Sequence, residues 1–306
     1  MFCPMKTAII YLFTGTGNTR IAGDLIAGQL AKHNTRTTIY ELKQPFENIP
    51  DPNQFDMVGF GYPVHAFNTP RFFLDFVKKL PDTNKKTAFV FKTSGEPFAL
   101  NNASSRPLIR LLEKKGFVPV SDRHMLMPYN IIFRYPDAMV KQMYLHTGKM
   151  AMLSVNDILK GNHKKFRFSP LTVISLYVFR LQWLGAKING PWIHVDKNLC
   201  AGCSLCVKMC PAANITMENG FPKFSSHCTM CMRCAFFCPS DAVRPGFLNG
   251  WRVNGPYQFE NIVKDDSIPT SFVQKDTKGY FRLFKNYYER TNKEIKELEK
   301  SKQKAC

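Results

Sequence analysis

A chain of 306 residues, 44% hydrophobic and 13% aromatic, is long enough for two domains with cores of their own and too apolar to be a disordered tail. Its net charge of +19 is spread along the chain, +8 over residues 1–160, +5 over 161–195, +2 over 196–250 and +4 over 251–306, with no recognition-helix or RNA-binding signature. That distribution argues against nucleic acid and fits an acidic protein partner or an anionic membrane surface. No window reaches the roughly 18 apolar residues of a membrane span, and Met1–Lys6 lacks the apolar stretch of a secretory signal.

The first predicted element is a buried parallel strand, the apolar run Thr7–Phe13. It leads directly into Thr14-Gly15-Thr16-Gly17-Asn18-Thr19 and then a helical pattern over Arg20–Lys32. A hydroxyl- and glycine-rich turn between a strand and a helix N-terminus is a phosphate cradle, built from backbone N–H groups and the helix dipole. No lysine stands where a Walker loop needs one, and Arg20 stands where a dinucleotide fingerprint needs its third glycine. The loop therefore suits a terminal monophosphate. It resembles the FMN phosphate loop of flavodoxins, which implies FMN as the ligand.

Strands are predicted next over Thr37–Leu42, Phe55–Gly61, Thr87–Lys92 and His124–Met127, with helices over Phe72–Lys79 and Arg106–Lys115. Strands alternating with helices imply a parallel, doubly wound, five-stranded sheet. In a flavodoxin-like order the ligand lies outside the carboxyl ends of the strands at the switch point. The isoalloxazine is accordingly expected between the loop Tyr62-Pro63-Val64-His65-Ala66-Phe67 and the loop Thr93-Ser94-Gly95-Glu96. Tyr62 and Phe67 could cover a flat ring, and Gly95 could present a backbone donor. His65 reads equally well as a solvent-facing loop residue, and Glu96 reads more readily as a surface charge. Asp137–Lys160 reads as a helix completing the cover of the sheet.

Residues 162–191 begin with a basic patch, Asn162–Arg167, and continue in a mostly apolar helix over Leu171–Phe179, broken by Arg180 and Gln182. Two readings stand: a helix packed between domains, or one that docks on a membrane surface or partner, with Trp183 and Trp192 suiting either.

Eight of the ten cysteines then spell one pattern twice: Cys200-x2-Cys203-x2-Cys206-x3-Cys210-Pro211 and Cys228-x2-Cys231-x2-Cys234-x3-Cys238-Pro239. Three cysteines at two-residue gaps wrap one cubane, and the cysteine before proline reaches the other cluster in two-cluster proteins. The expected ligand sets are Cys200, Cys203, Cys206 and Cys238 for one 4Fe–4S cluster, and Cys228, Cys231, Cys234 and Cys210 for the other. Structural zinc has no use for the third cysteine of each run, and the spacing is too tight for easy disulfide pairing. Apolar neighbours (Leu205, Val207, Met209, Ile215, Phe221, Met230, Met232, Phe236, Phe237) would limit water at the sulfurs. Cys3 and Cys306 are expected to be free thiols. The stretch 192–246 resembles the bacterial two-cluster ferredoxins, and oxygen-sensitive clusters with unpaired cysteines place the expected location in the cytoplasm. The last 27 residues read as a charged, solvated helix.

Together the halves resemble the flavodoxin–ferredoxin fusion family of anaerobic bacteria, and Met127-Pro128-Tyr129-Asn130 resembles a short segment its members carry near the flavin. The resemblance implies a flavodoxin-like FMN-binding domain over 1–161, a connecting helix over 162–191, a small α+β ferredoxin-like domain over 192–246 and a C-terminal extension over 247–306. It implies FMN and two 4Fe–4S clusters in an electron-transfer protein serving a separate redox partner protein. The alternative is a flavin-dependent reductase of a small molecule or quinone with the clusters as a wire, for which His65 and Tyr129 are the candidate acid/base groups. The net-positive cluster segment departs from the acidic isolated flavodoxins and ferredoxins, so partner surfaces inferred from those relatives do not carry over, and the acidic partner is expected from the net charge alone.

Overall fold

The computed structural model describes residues 5–161 and 170–303. Five parallel strands, β1 (Lys6–Leu12), β2 (Thr35–Glu41), β3 (Met57–Pro63), β4 (Lys86–Ser94) and β5 (Phe117–Leu126), lie in the order β2-β1-β3-β4-β5. β1 and β3 are buried on both faces, which their continuous apolar sequences require. Helix α1 (Asn18–Ala31) covers one face with α5 (Asp137–Lys160), while α2 (Arg71–Lys79) and α4 (Arg106–Lys114) cover the other; the short α3 (Ala99–Ala103) precedes α4. The sheet is thus doubly wound in the flavodoxin-like order.

β5 is the main departure from the expected strands. It runs ten residues, whereas only His124–Met127 reads as strand in the sequence. The reason is its place at the sheet edge. An edge strand pairs on one side only, so it accommodates Pro119, a register shift opposite Ala88–Phe89 and the polar run Ser121–His124. Asp122 there forms an ion pair at 2.8 Å with the buried Lys92 of β4, whose ammonium also donates to Ser105 and the Asn102 carbonyl. Burial pushes the Lys92 pKa down and Asp122 works against that shift.

The connection between the halves is two helices rather than one, α6 (Pro170–Phe179) and α7 (Gln182–Trp192). The basic patch at 162–167 lies outside the described residues, as do Cys3 and Cys306. α6 docks on the loop after β3 through Phe67–Phe179 ring contact at 4.7 Å and a hydrogen bond from the Asn68 amide to the Leu176 carbonyl.

The cysteine-bearing segment is built as an internal repeat of 28 residues. The short helices α8 (Leu205–Met209) and α9 (Arg233–Phe236) follow equivalent cysteines. Left-handed backbone recurs at Gly202 and Met230, at Ser204 and Met232, and at Ala213 and Asp241. Between the copies lies a hairpin of β7 (Ile215–Glu218) and β8 (Phe221–Phe224), turning at Asn219-Gly220 with both residues at positive φ. β6 (His194–Val195) and β9 (Val243–Arg244) pair antiparallel and close the segment.

The C-terminal extension is not a freely solvated tail. After α10 (Phe259–Lys264), α11 (Lys285–Gln303) lies back on the N-terminal half. Phe284, Tyr287 and Tyr288 share a core with Tyr135, Met139 and Met143, to which Phe236 of the cysteine segment also contributes. Ile295 and Leu298 join the core between α1, α5 and the sheet. The Tyr287 hydroxyl donates to the His124 carbonyl at 2.6 Å, and Glu294 pairs with Arg123 at 2.5 Å. The alternating charges belong to the outer face of a helix whose other face is apolar at helical spacing.

Candidate cofactor sites

Because all five strands run the same way, the loops after β1, β3, β4 and β5 gather at one edge of the sheet. They enclose a cavity of about 480 Å³, within the range of small-molecule sites. Thr14, Gly15, Thr16, Asn18 and Thr19 form one end, Pro63–Phe67 and Thr93–Glu96 the walls, and Met127–Ile132 the remaining side. The Thr14 hydroxyl accepts from the Gly17 N–H at 3.0 Å, Asn18 donates to the Pro128 carbonyl at 2.7 Å, and the Thr19 and Thr93 hydroxyls lie 2.8 Å apart. The Asn130 amide donates to Thr16 at 3.3 Å. Ala66 and Phe67 turn the chain in left-handed backbone, closed by paired hydrogen bonds between His65 and Asn68.

Two residues expected in this site stand apart from its walls. Tyr62 is fully buried in the sheet core with its hydroxyl 2.9 Å from Ser104, so it cannot cover a ring in the cavity. It is the last inward-facing position of β3, and the chain emerges only at Pro63. Gly17 caps α1 behind the wall. His65 lines the cavity but is held neutral, its pKa pushed down to about 4 by burial. Burial raises the Glu96 pKa, against a hydrogen bond donated by Tyr280 of the C-terminal extension at 3.0 Å. The flat aromatic wall comes instead from Tyr129, stacked on Tyr135 at 5.4 Å. Gln182, Met230 and Leu248 also line the cavity, and nothing in local sequence pattern points to them, because they come from α7, the cysteine segment and the extension.

The eight cysteines line two further, smaller cavities. Cys200, Cys203, Cys206 and Cys238 border one, and Cys210, Cys228, Cys231 and Cys234 the other, with Cys234 on the wall between them. The cysteine preceding each proline thus sits with the triplet of the other run. Backbone N–H groups already point at sulfur in matching places: Asn214 to Cys210 at 3.3 Å and, 28 residues on, Ala242 to Cys238 at 3.2 Å, with Met230 to Cys228 at 3.3 Å. Burial, and then the neighbouring cysteines, push the Cys228 thiol up to about 12 and raise Cys234 as well. Burial also leads the upward shift of Cys206 and Cys210. Burial thus favours the protonated form of these four thiols, so loading them with iron would be coupled to proton release. Among the described residues no three His, Cys, Asp or Glu side chains converge on a point as ligands of one ion. The thiols instead surround a space, a donor set that fits a multi-iron cluster.

The two kinds of site touch. Met230 stands between Cys228 and Cys231, gives its N–H to the Cys228 sulfur and lines the large cavity. A Cβ added to Gly15 would lie 2.4 Å from the Cys231 carbonyl oxygen, so only glycine lets the loop after β1 and the cysteine loop approach this closely. Arg233 fastens the contact, donating to the Gly15 carbonyl at 2.7 Å and the Thr14 carbonyl at 3.0 Å and pairing with Glu41 at 2.7 Å.

Residues 193–239 match the family model of the 4Fe–4S dicluster domain. The N-terminal half is similar to solved flavodoxins. Oxidised flavodoxin 1 from Bacillus cereus is 19% identical with a TM-score of 0.36, covering 50% of this chain and 97% of that one. A short-chain flavodoxin associated with a PDU bacterial microcompartment is 20% identical with a TM-score of 0.37, covering 50% and 99%. The rubredoxin:oxygen oxidoreductase of the anaerobe Desulfovibrio gigas is 14% identical with a TM-score of 0.33, covering 52% and 37%. Likeness this distant carries no functional argument, and no curated protein matches the chain. A dicluster domain behind a doubly wound sheet in the 2-1-3-4-5 order fits a flavodoxin–ferredoxin fusion.

Proposed function

We propose that this chain is an electron-transfer flavo-iron–sulfur protein that binds FMN in the large cavity and two 4Fe–4S clusters in the cysteine-lined ones, and exchanges electrons with a separate redox protein. The observation that carries the reading is Met230, one residue that hydrogen-bonds a cluster-site sulfur and walls the flavin-sized cavity. When bound, FMN takes up electrons in pairs and each cubane passes them singly, so the chain would join two-electron to one-electron chemistry. Its own residues hold the sites and exclude water. Thr14–Thr19 and the N-terminus of α1 would anchor the phosphate, Tyr129 would cover the ring, and the neutral His65 keeps a positive charge away from it. Phe237, Val195 and Val243 wall one cysteine cavity, and Ile193, Ile215 and Phe224 the other. Fusing the sites replaces a docking encounter by a fixed contact.

Oxygen-free purification followed by an iron, sulfide and flavin count tests this directly, with about eight iron, eight labile sulfide and one FMN per chain expected from two cubanes and one nucleotide. Thr16→Val with Asn18→Ala is expected to release FMN while iron is retained. Full FMN occupancy in that variant would move the phosphate elsewhere, and a colourless wild-type preparation would end the proposal. The self-contained reductase is separated by mixing the reduced protein with small acceptors: repeated turnover without a second protein would favour it.

A further inference from the structure

The faces of α6 and α7 that point away from the protein carry the large apolar residues. Ile174, Val178, Leu181, Leu184, Ile188 and Trp192 recur at steps of three and four along both helices and the turn between them, and each is more than half exposed. Tyr177 joins them on the same face. Apart from Trp183, which packs against the sheet core, the inward positions of α7 are small or polar: Ala186, Asn189 and Gly190 are buried, and a Cβ on Gly190 would strike the Ser225 carbonyl. A surface helix of a globular protein shows the opposite pattern, its apolar stripe facing the core. A contiguous exposed stripe of this kind marks an interaction face.

Charge selects the occupant. Residues 161–195 hold five basic side chains and no acidic one. Lys187 is exposed beside the stripe, and the Arg180 guanidinium lies over the rings of Tyr177 and Trp183 at 4.3 and 5.3 Å. Trp192 packs on Phe247 at 4.6 Å, and the turn that carries Phe247 ends at the exposed Trp251; amphipathic rings of this kind settle at headgroup level. A second copy seated on the stripe would bring its own Arg180 and Lys187 against the same cations. No helix among the described residues is long and apolar enough to cross a membrane. We propose that α6 and α7 lie in the surface plane of an anionic lipid bilayer, with the stripe at the acyl boundary and Arg180 and Lys187 at the headgroups. The opposite face of α7 walls the flavin-sized cavity through Gln182 and abuts Cys228 through Gly190, so such docking holds the cofactor sites against the membrane.

The test is flotation of the oxygen-free holoprotein with vesicles of phosphatidylcholine alone and with vesicles containing about one-third phosphatidylglycerol, at low and high salt. Recovery with the anionic vesicles, on the order of tenfold above the neutral ones and falling with salt, is expected from several cations near the surface. Leu184→Asp with Ile188→Asp, both exposed, should abolish flotation with iron and flavin content unchanged. Lys187→Glu should weaken it by roughly fivefold or more. Three outcomes would overturn the assignment: no flotation on anionic vesicles, flotation indifferent to the Asp pair, or a lipid-free dimer in the ultracentrifuge that the Asp pair dissociates, which would give the stripe to a second copy.

Discussion

Replacing Arg233 by alanine should loosen the junction between the phosphate loop and the cysteine loop without removing a cluster ligand. The side chain is 15% exposed and gives two hydrogen bonds to the Thr14 and Gly15 carbonyls and an ion pair to Glu41, itself 31% exposed. Deleting a hydrogen bond to a charged group costs about 1.5–3 kcal/mol. The three contacts share one guanidinium and are not additive, and the Glu41 end is partly screened. A total of about 3 kcal/mol follows, which is on the order of a hundredfold in the equilibrium between docked and separated loops. Native-state hydrogen exchange reads that equilibrium locally. Amides of Gly15–Thr19 and Met230–Cys234 should lose protection by on the order of a hundredfold, while the strand amides of β3 and β4 keep theirs. Arg233→Lys should restore little, because an ammonium cannot address two carbonyls and a carboxylate in the fork geometry of arginine. Protection at Gly15–Thr19 within about threefold of wild type in the alanine variant would refute the reasoning that Arg233 fastens the two sites.

Cys206→Ser should halve the iron content and leave FMN bound, measured by metal and flavin analysis of one preparation; loss of both would mean the halves do not load independently. His124 and His146 are both held neutral with pKa values pushed down to about 3 by burial, against about 6.5 in an unfolded chain. The unfolded state therefore binds more protons below pH 6.5, so stability should fall as pH drops from 7.5 to 5.5, by about 1.4 kcal/mol for each histidine. His146→Phe keeps the ring packing on Tyr287 and Tyr288 and should remove one such contribution, read from denaturation midpoints at the two pH values. Ending the chain after Phe284 would strip Tyr287, Tyr288, Ile295 and Leu298 from two cores, on the order of 5–10 kcal/mol of burial and comparable to the whole stability of a domain. Such a chain should fail to accumulate as folded protein; an unchanged melting temperature would show the extension to be dispensable.

The cysteine spelling, the apolar strand leading into Thr14–Thr19 and the strand–helix alternation are local patterns, so each was legible in the chain alone. Periodicity and ligand spacing act over a few residues, and the parallel sheet order follows from them by topology. What escaped them lies at longer range. β5 carries a proline and a central polar run, Ser121–His124, and only its place at the sheet edge makes the whole of it a strand. Tyr62 looked like a ring-covering residue because its loop was right; one step of pleat turned it into the core. The charges of α11 are one side of a helix whose other side is buried by α5 and β5, more than 120 residues away in sequence. The meeting of Gly15 with Cys231, the Arg233 clasp and the shared wall at Met230 come from packing between segments some 215 residues apart. Residue types and short spacing determined which kinds of ligand these loops suit; only the packing of the halves decided that the candidate sites would be neighbours, because contact between distant segments depends on surface shape that no local pattern encodes.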